Sequence, residues 1–108
     1  MENEIFEDIR KALVKHFLDT IILETLKHQS PFSGYDFMEI VNVRFGFMIS
    51  SGTIYSVLYH LERDGLLKGK ISDGRRAYIL TERGQESIDC ILQSKKEIVG
   101  FVQTILKS

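Results

Sequence analysis

Tryptophan is absent from this chain, and cysteine and proline occur once each, as Cys90 and Pro31. A single cysteine forms no internal disulfide and offers one soft ligand, which argues against a disulfide scaffold or a zinc ribbon. Long apolar runs are missing too. None exceeds four residues, against the roughly 20 needed to span a bilayer, so no membrane partner is expected. The opening stretch MENEIFEDIRKALVKHF carries early acids and no small-residue cleavage site; it does not read as a signal peptide, and a cytoplasmic location is expected. There is no glycine-rich phosphate loop, no paired histidine and acid spacing and no activated-serine context. His16, His28 and Cys90 are too scattered for a catalytic or metal set. No enzyme, metal or cofactor is therefore expected.

Net charge is also nearly absent, at −1, but its distribution is uneven. Residues 1–41 hold eight acids against four bases. Residues 66–80 hold Lys68, Lys70, Arg75 and Arg76 against Asp73 alone. A basic patch can thus exist on a protein that is not basic, and its place in the fold decides its meaning. A length of 108 residues supports one core rather than two. With 44% hydrophobic and 27% charged residues, the chain reads as globular rather than disordered. The expectation is a single domain over 1–108, comprising an N-terminal helical part (1–28), a central part (33–81) and a last helix (82–108).

From about Glu4 to Lys27 the apolar residues Phe6, Ile9, Leu13, Phe17, Leu18, Ile21, Ile22 and Leu26 recur at helical steps. One long helix or two joined near Lys15 both fit. The cluster Gln29, Ser30, Pro31, Phe32, Ser33, Gly34 breaks the pattern. Tyr35 to about Arg44 reads as a second helix, capped by Ser33. A third follows in SSGTIYSVLYHLERDG. Ser50 or Ser51 caps it, Ile54, Val57, Leu58 and Leu61 form its buried face, and Gly65 follows its last turn. Its buried face is fully accounted for, which leaves Thr53, Tyr55, Ser56, Tyr59, His60 and Arg63 free for something else.

After Gly65 the period changes to that of strands. Residues 66–72 and 75–81 flank Asp73-Gly74, a strong hairpin signal. A two-residue turn sets Ile71 opposite Arg76, Gly69 opposite Tyr78 and Leu67 opposite Leu80, with room beside the glycine for the tyrosine ring. Lys68, Lys70 and Arg75 share the other face. Thr81 caps a last helix running almost to Ser108. Its apolar residues Ile88, Ile91, Leu92, Ile98, Val99, Val102, Ile105 and Leu106 form a stripe too long for one small core, so they are expected to pack on a second copy of the chain.

The expected class is mainly α with a small β-hairpin: a winged helix-turn-helix plus a long C-terminal dimerisation helix. In that fold the third helix enters the major groove of double-stranded DNA and the wing follows the phosphates. Ser50, Ser51, Gly52 and Thr53 let backbone approach phosphate at the positive end of the helix dipole. Tyr55, Ser56, Tyr59, His60 and Arg63 can reach base edges or backbone oxygens. Lys68, Lys70, Arg75 and Arg76 suit phosphates or a narrow minor groove.

These residues also resemble the PadR-like transcriptional regulators. The hallmarks stand as Ser51-Gly52-Thr53-Ile54-Tyr55, Leu58-Tyr59-His60-Leu61-Glu62, Asp64-Gly65-Leu66 and Tyr78-Ile79-Leu80-Thr81-Glu82-Arg83-Gly84. Upstream, Leu18 to Leu26 and Ser33-Gly34-Tyr35-Asp36 match, so the resemblance spans roughly residues 16–86 and is to the compact, single winged-helix subgroup. It implies a homodimer that binds a partly palindromic operator, usually as a repressor. Some such proteins release DNA when a small-molecule effector binds at the dimer centre, stacked on a tryptophan of the last helix; this chain has no tryptophan, so a small-molecule effector stays an open but unsupported partner. Ser56 stands where the family commonly has proline. Two other classes fit the same residues: a winged-helix module for protein–protein association, and a nonspecific DNA-architectural protein.

Overall fold

The computed structural model describes residues 1–29 and 32–107. The N-terminal part is two helices, α1 (Glu2–His16) and α2 (Leu18–His28). They join at Phe17, whose φ of −95° and ψ of 13° depart from helical values. Hydrogen bonds still cross the joint, from Phe17 N–H to the Leu13 carbonyl at 2.9 Å and from Ile21 N–H to the Phe17 carbonyl at 2.8 Å. α2 buries Leu18, Ile22, Leu23 and Leu26, the one-sided spacing that a core-facing helix needs. The Ser30-Pro31 break lies outside the described residues, as does Ser108.

β1 (Phe32–Ser33) leads into α3 (Gly34–Phe45). Ser33 is the cap, as expected, within a reciprocal capping box. Its Oγ accepts from Asp36 N–H at 3.2 Å and its own N–H donates to the Asp36 carboxylate at 2.9 Å. α4 (Ser51–Arg63) follows, then β2 (Leu67–Ser72), β3 (Arg75–Leu80), α5 (Glu82–Gln93) and α6 (Lys95–Ile105). The hairpin has the expected register, with Leu67 opposite Leu80, Gly69 opposite Tyr78 and Ile71 opposite Arg76. Asp73 and Gly74 form its turn at φ 51° and 75°, a pair of positive values that matches the strand twist.

Three features differ from the sequence reading. The sheet has three strands in the order β1, β3, β2, because Phe32 and Ser33 pair with Tyr78 and Ala77. Two residues are too short to show alternation, and they become a strand only because β3 offers a free edge. The last helix is two segments. Ser94 has φ −92° and ψ 11°, and its hydroxyl donates to the Cys90 carbonyl at 3.0 Å, a back-bond that bends helices. Finally, Ile88 is a core residue with 0% exposure, so it is not available to a partner. α5 is drawn onto the body of the fold: the Lys27 ammonium of α2 lies 2.5 Å from the Asp89 carboxylate of α5.

The core unites Leu18, Ile22 and Leu26 of α2 with Phe37 and Val41 of α3, Ile54 and Leu58 of α4, Leu67 and Tyr78 of the hairpin, and Ile88 of α5. α1 contributes Val14 alone, and α6 buries no residue. Both terminal helices therefore stand largely outside the packed body.

Candidate nucleic-acid interface

α4 is anchored at both ends. Ser50 Oγ accepts from Thr53 N–H at 3.2 Å and meets the Thr53 hydroxyl at 2.9 Å. At the other end Gly65 N–H donates to Glu62 and Leu66 N–H to the Leu61 carbonyl, a Schellman closure with Gly65 in the left-handed region at φ 79°. Ile54, Leu58 and Leu61 are buried, and Val57 is half-buried. Ser50, Ser51, Gly52, Thr53, Tyr55, Ser56, Tyr59, His60 and Arg63 are all exposed. The first amides of the helix have no intrahelical acceptor, and nothing stands within 4 Å of a Cβ built on Gly52. The backbone is thus open to close approach there.

Tyr55 bridges two helices. A Cβ on Gly34 would lie 2.5 Å from its ring, so the ring occupies space that any larger residue at the start of α3 would fill. Further along, the Arg63 guanidinium lies 5.9 Å from the centre of the Tyr59 ring, and the Tyr59 and His60 rings meet edge to face at 5.8 Å. His60 also turns toward the α1–α2 joint. With Lys15, His16, Asp19 and Asp64 it lines a separate open cleft of about 280 Å³.

The wing is held to α4 by one carboxylate. Glu62 accepts from Gly69 N–H at 3.1 Å and from Arg76 Nη2 at 2.5 Å. The space over Gly69 belongs to this guanidinium: a Cβ there would lie 2.6 Å from it. The tyrosine expected in that place is instead turned inward, leaving Tyr78 5% exposed. Tyr78 and the Glu62 charge hold the Arg76 pKa above its ordinary value. Lys68, Lys70 and Arg75 are exposed, and among the described residues none of the three has a carboxylate within 4 Å.

Between wing and helix lies an open cleft of about 320 Å³ lined by Ser33, Tyr35, Tyr55, Arg75 and Arg76. The structure therefore brings together the residues at the start of α4, Tyr55 and the wing arginines. It adds Ser33 and Tyr35, which the sequence reading did not place in the site. Gly34 between them was the only local hint, because the contact it permits is with a residue 21 positions later.

A second surface is apolar. Phe101, Ile105 and Leu106 are 66%, 65% and 74% exposed. Leu92, Val99 and Val102 are exposed as well, while Ile91 and Ile98 are half-buried. Phe101 was not among the residues expected to face a partner. On α1 the residues Ile5, Phe6, Ile9 and Leu13 form a matching uncovered stripe. Among the described residues no group of three or more His, Cys, Asp or Glu is arranged to hold a metal ion, and no helix is long and apolar enough to cross a membrane.

The model of the transcriptional regulator PadR-like family matches residues 22–89. No curated protein matches the chain. A PadR-like transcriptional regulator from Bacillus cereus is 25% identical over 90% of this chain and 98% of its own, with a TM-score of 0.72. A PadR family transcription regulator from Clostridium difficile is 26% identical over 83% and 98%, with a TM-score of 0.69. In fold alone, a PadR family regulator from Eggerthella lenta is similar over 99% of this chain and 96% of its own, at 22% identity and a TM-score of 0.80.

Proposed function

The chain belongs to the PadR-like family of transcriptional regulators, and from that premise we propose that it acts as a homodimeric repressor on a partly palindromic operator. As a member it is a DNA-binding transcriptional regulator rather than an enzyme. In the proposed complex each α4 enters the major groove, its open N-terminus against phosphate and Tyr55, Ser56 and Tyr59 toward base edges. Lys68, Lys70 and Arg75 follow the backbone beside it. Ser51, Gly52 and Thr53 approach the first phosphate, and Arg63 a later one, with His60 at the edge of the footprint. A cytoplasmic location goes with this role.

The observation that carries the reading is the division of α4 into two faces. Three buried side chains satisfy the core, and the opposite face is a polar strip bordered by a basic ribbon. Dimer formation is supported by the terminal helices. An isolated helix shorter than about 12 to 15 residues is marginal in water, and α6 has 11 residues with none buried. A second copy covering Leu92, Val99, Phe101, Val102, Ile105 and Leu106, with help from α1, supplies the missing apolar contact. Two α4 helices then lie about 34 Å apart in successive major grooves.

Selection of bound duplexes from a random pool tests the proposal. A two-fold symmetric consensus, preferred over scrambled DNA by about 4 to 10 kcal/mol, is the expected result. Equal binding to all duplexes would mark an architectural protein. Indifference to duplexes at low salt would leave a protein-association module.

A further inference from the structure

Arg10 lies on α1, four residues before Val14, and outside the surfaces assigned so far. Each of its three guanidinium nitrogens donates a hydrogen bond. Nε and Nη2 make a fork on the Glu7 carboxylate at 3.1 and 2.8 Å, and Nη1 donates to the backbone carbonyl of Phe45. Phe45 ends α3 and is followed by Gly46 in the left-handed region. Carbonyls at a helix end lack intrahelical donors, and the dipole there favours a cation. Arg10 therefore caps α3 from a different helix. It also lies 5.7 Å from the centre of the Phe47 ring, which Lys11 approaches at 5.8 Å.

The segment it grips is the turn of the helix-turn-helix. Ile49 is buried and Phe45 and Phe47 pack against the core, so residues 46–50 are held from the inside by side chains and from the outside by Arg10. The next residue, Ser51, begins α4. α1 meanwhile carries the uncovered stripe of Ile5, Phe6, Ile9 and Leu13. Arg10 thus ties the helix that carries this stripe to the turn that leads into α4.

Resting on the homodimer proposed above, we infer that Arg10 is a positioning residue for DNA binding, which passes the placement of α1 against the partner copy to the α3–α4 turn and so sets the separation of the two α4 helices. The guanidinium suits this work because its planar fork fixes direction as well as charge. Glu7 locks the fork from the same helix face. Lys11 adds a point charge on the same ring without direction.

Spacing selectivity is the readout that isolates this role. Inserting or deleting one base pair between half-sites moves them by about 3.4 Å and rotates one against the other by roughly 35°. The unaltered chain is expected to favour the selected spacing roughly tenfold or more, since a misplaced half-site forfeits good base contacts. Arg10→Met keeps the aliphatic stem and removes the fork; it is expected to remain a dimer by sedimentation while its preference for the selected spacing falls to about threefold or less, leaving less than a single such contact to discriminate. Arg10→Lys restores part of the preference.

A general loss of stability lowers the active fraction on every operator alike and leaves the ratio of affinities untouched. A wild-type ratio in Arg10→Met overturns the inference. So does a fall in the salt slope of about 0.9 per copy, which would make Arg10 a phosphate contact. Should Arg10→Met fail to fold, Arg10→Lys decides: a reduced ratio supports the inference and a wild-type ratio overturns it. A wild-type chain that is monomeric or blind to spacing removes the dimeric reading, and this inference with it, before any variant is made.

Discussion

Replacing Arg75 by alanine removes a guanidinium that has no carboxylate partner among the described residues and stands at the end of the wing. Replacing Arg76 removes one that is already committed to Glu62 and lies over Gly69. If the wing follows the phosphates, the two changes should separate in their salt dependence. Each neutralised phosphate contributes about 0.9 to the slope of log affinity against log salt, so a dimer losing two copies of Arg75 should lose about 1.8. Between about 50 and 200 mM salt this makes the cost of Arg75→Ala roughly tenfold greater at the lower concentration. Arg76→Ala should weaken binding with the slope nearly kept, because it unpairs Glu62 and loosens the wing against α4 rather than removing a free charge. Fluorescence anisotropy titrations of one duplex at several salt concentrations measure both. Equal slope changes for the two variants, or none for Arg75→Ala, would refute the reasoning.

Other perturbations act elsewhere. Gly84→Ala would set its Cβ 2.1 Å from the Leu66 carbonyl oxygen; this backbone atom cannot swing aside, so a loss of about 1 to 3 kcal/mol in denaturant unfolding is expected, and an unchanged midpoint would mean that α5 shifts freely. Phe101→Glu with Ile105→Glu places charge on the uncovered stripe and is expected to convert a dimer to a monomer in sedimentation velocity; a persistent dimer would put the interface elsewhere. Lys27 and then Gln85 hold the Asp89 carboxyl below its ordinary value, and hydrogen bonding to Arg10 does the same for Glu7. Since both folded values lie below the unfolded ones, their stabilisation is complete above the ordinary carboxylate range and is lost as pH falls through the folded values. The melting temperature should therefore drop on acidification below about pH 4, and Asp89→Asn should flatten that drop.

The sequence was most legible where an interaction is short in chain distance. The caps at Ser33, Ser50 and Thr81 each depend on a donor three residues on. The hairpin register follows from a two-residue turn, and the buried face of α4 from its spacing. The candidate site was legible only as an inventory of residues. Nothing local showed that Arg76 would fold back on Glu62 and Gly69 while Arg75 stayed free, or that Tyr55 would reach across to Gly34 and bring Tyr35 into the same cleft. Ile88 looked like the other apolar residues of its helix, and only the packing of α5 on the body distinguishes it from Ile105.

By itself the sequence determined the class of fold, the boundaries of α3 and α4, the hairpin and the surplus of apolar residues near the C-terminus. These depend on periodicity and on capping within a few residues, where chain distance and spatial distance nearly coincide. The tertiary structure alone decided which arginine of the wing is free, which apolar residues the core consumes, and that Arg10 ties α1 to the turn before α4. Each of these is a choice among side chains of the same type, and it is made by neighbours 14 to 62 positions away in the chain.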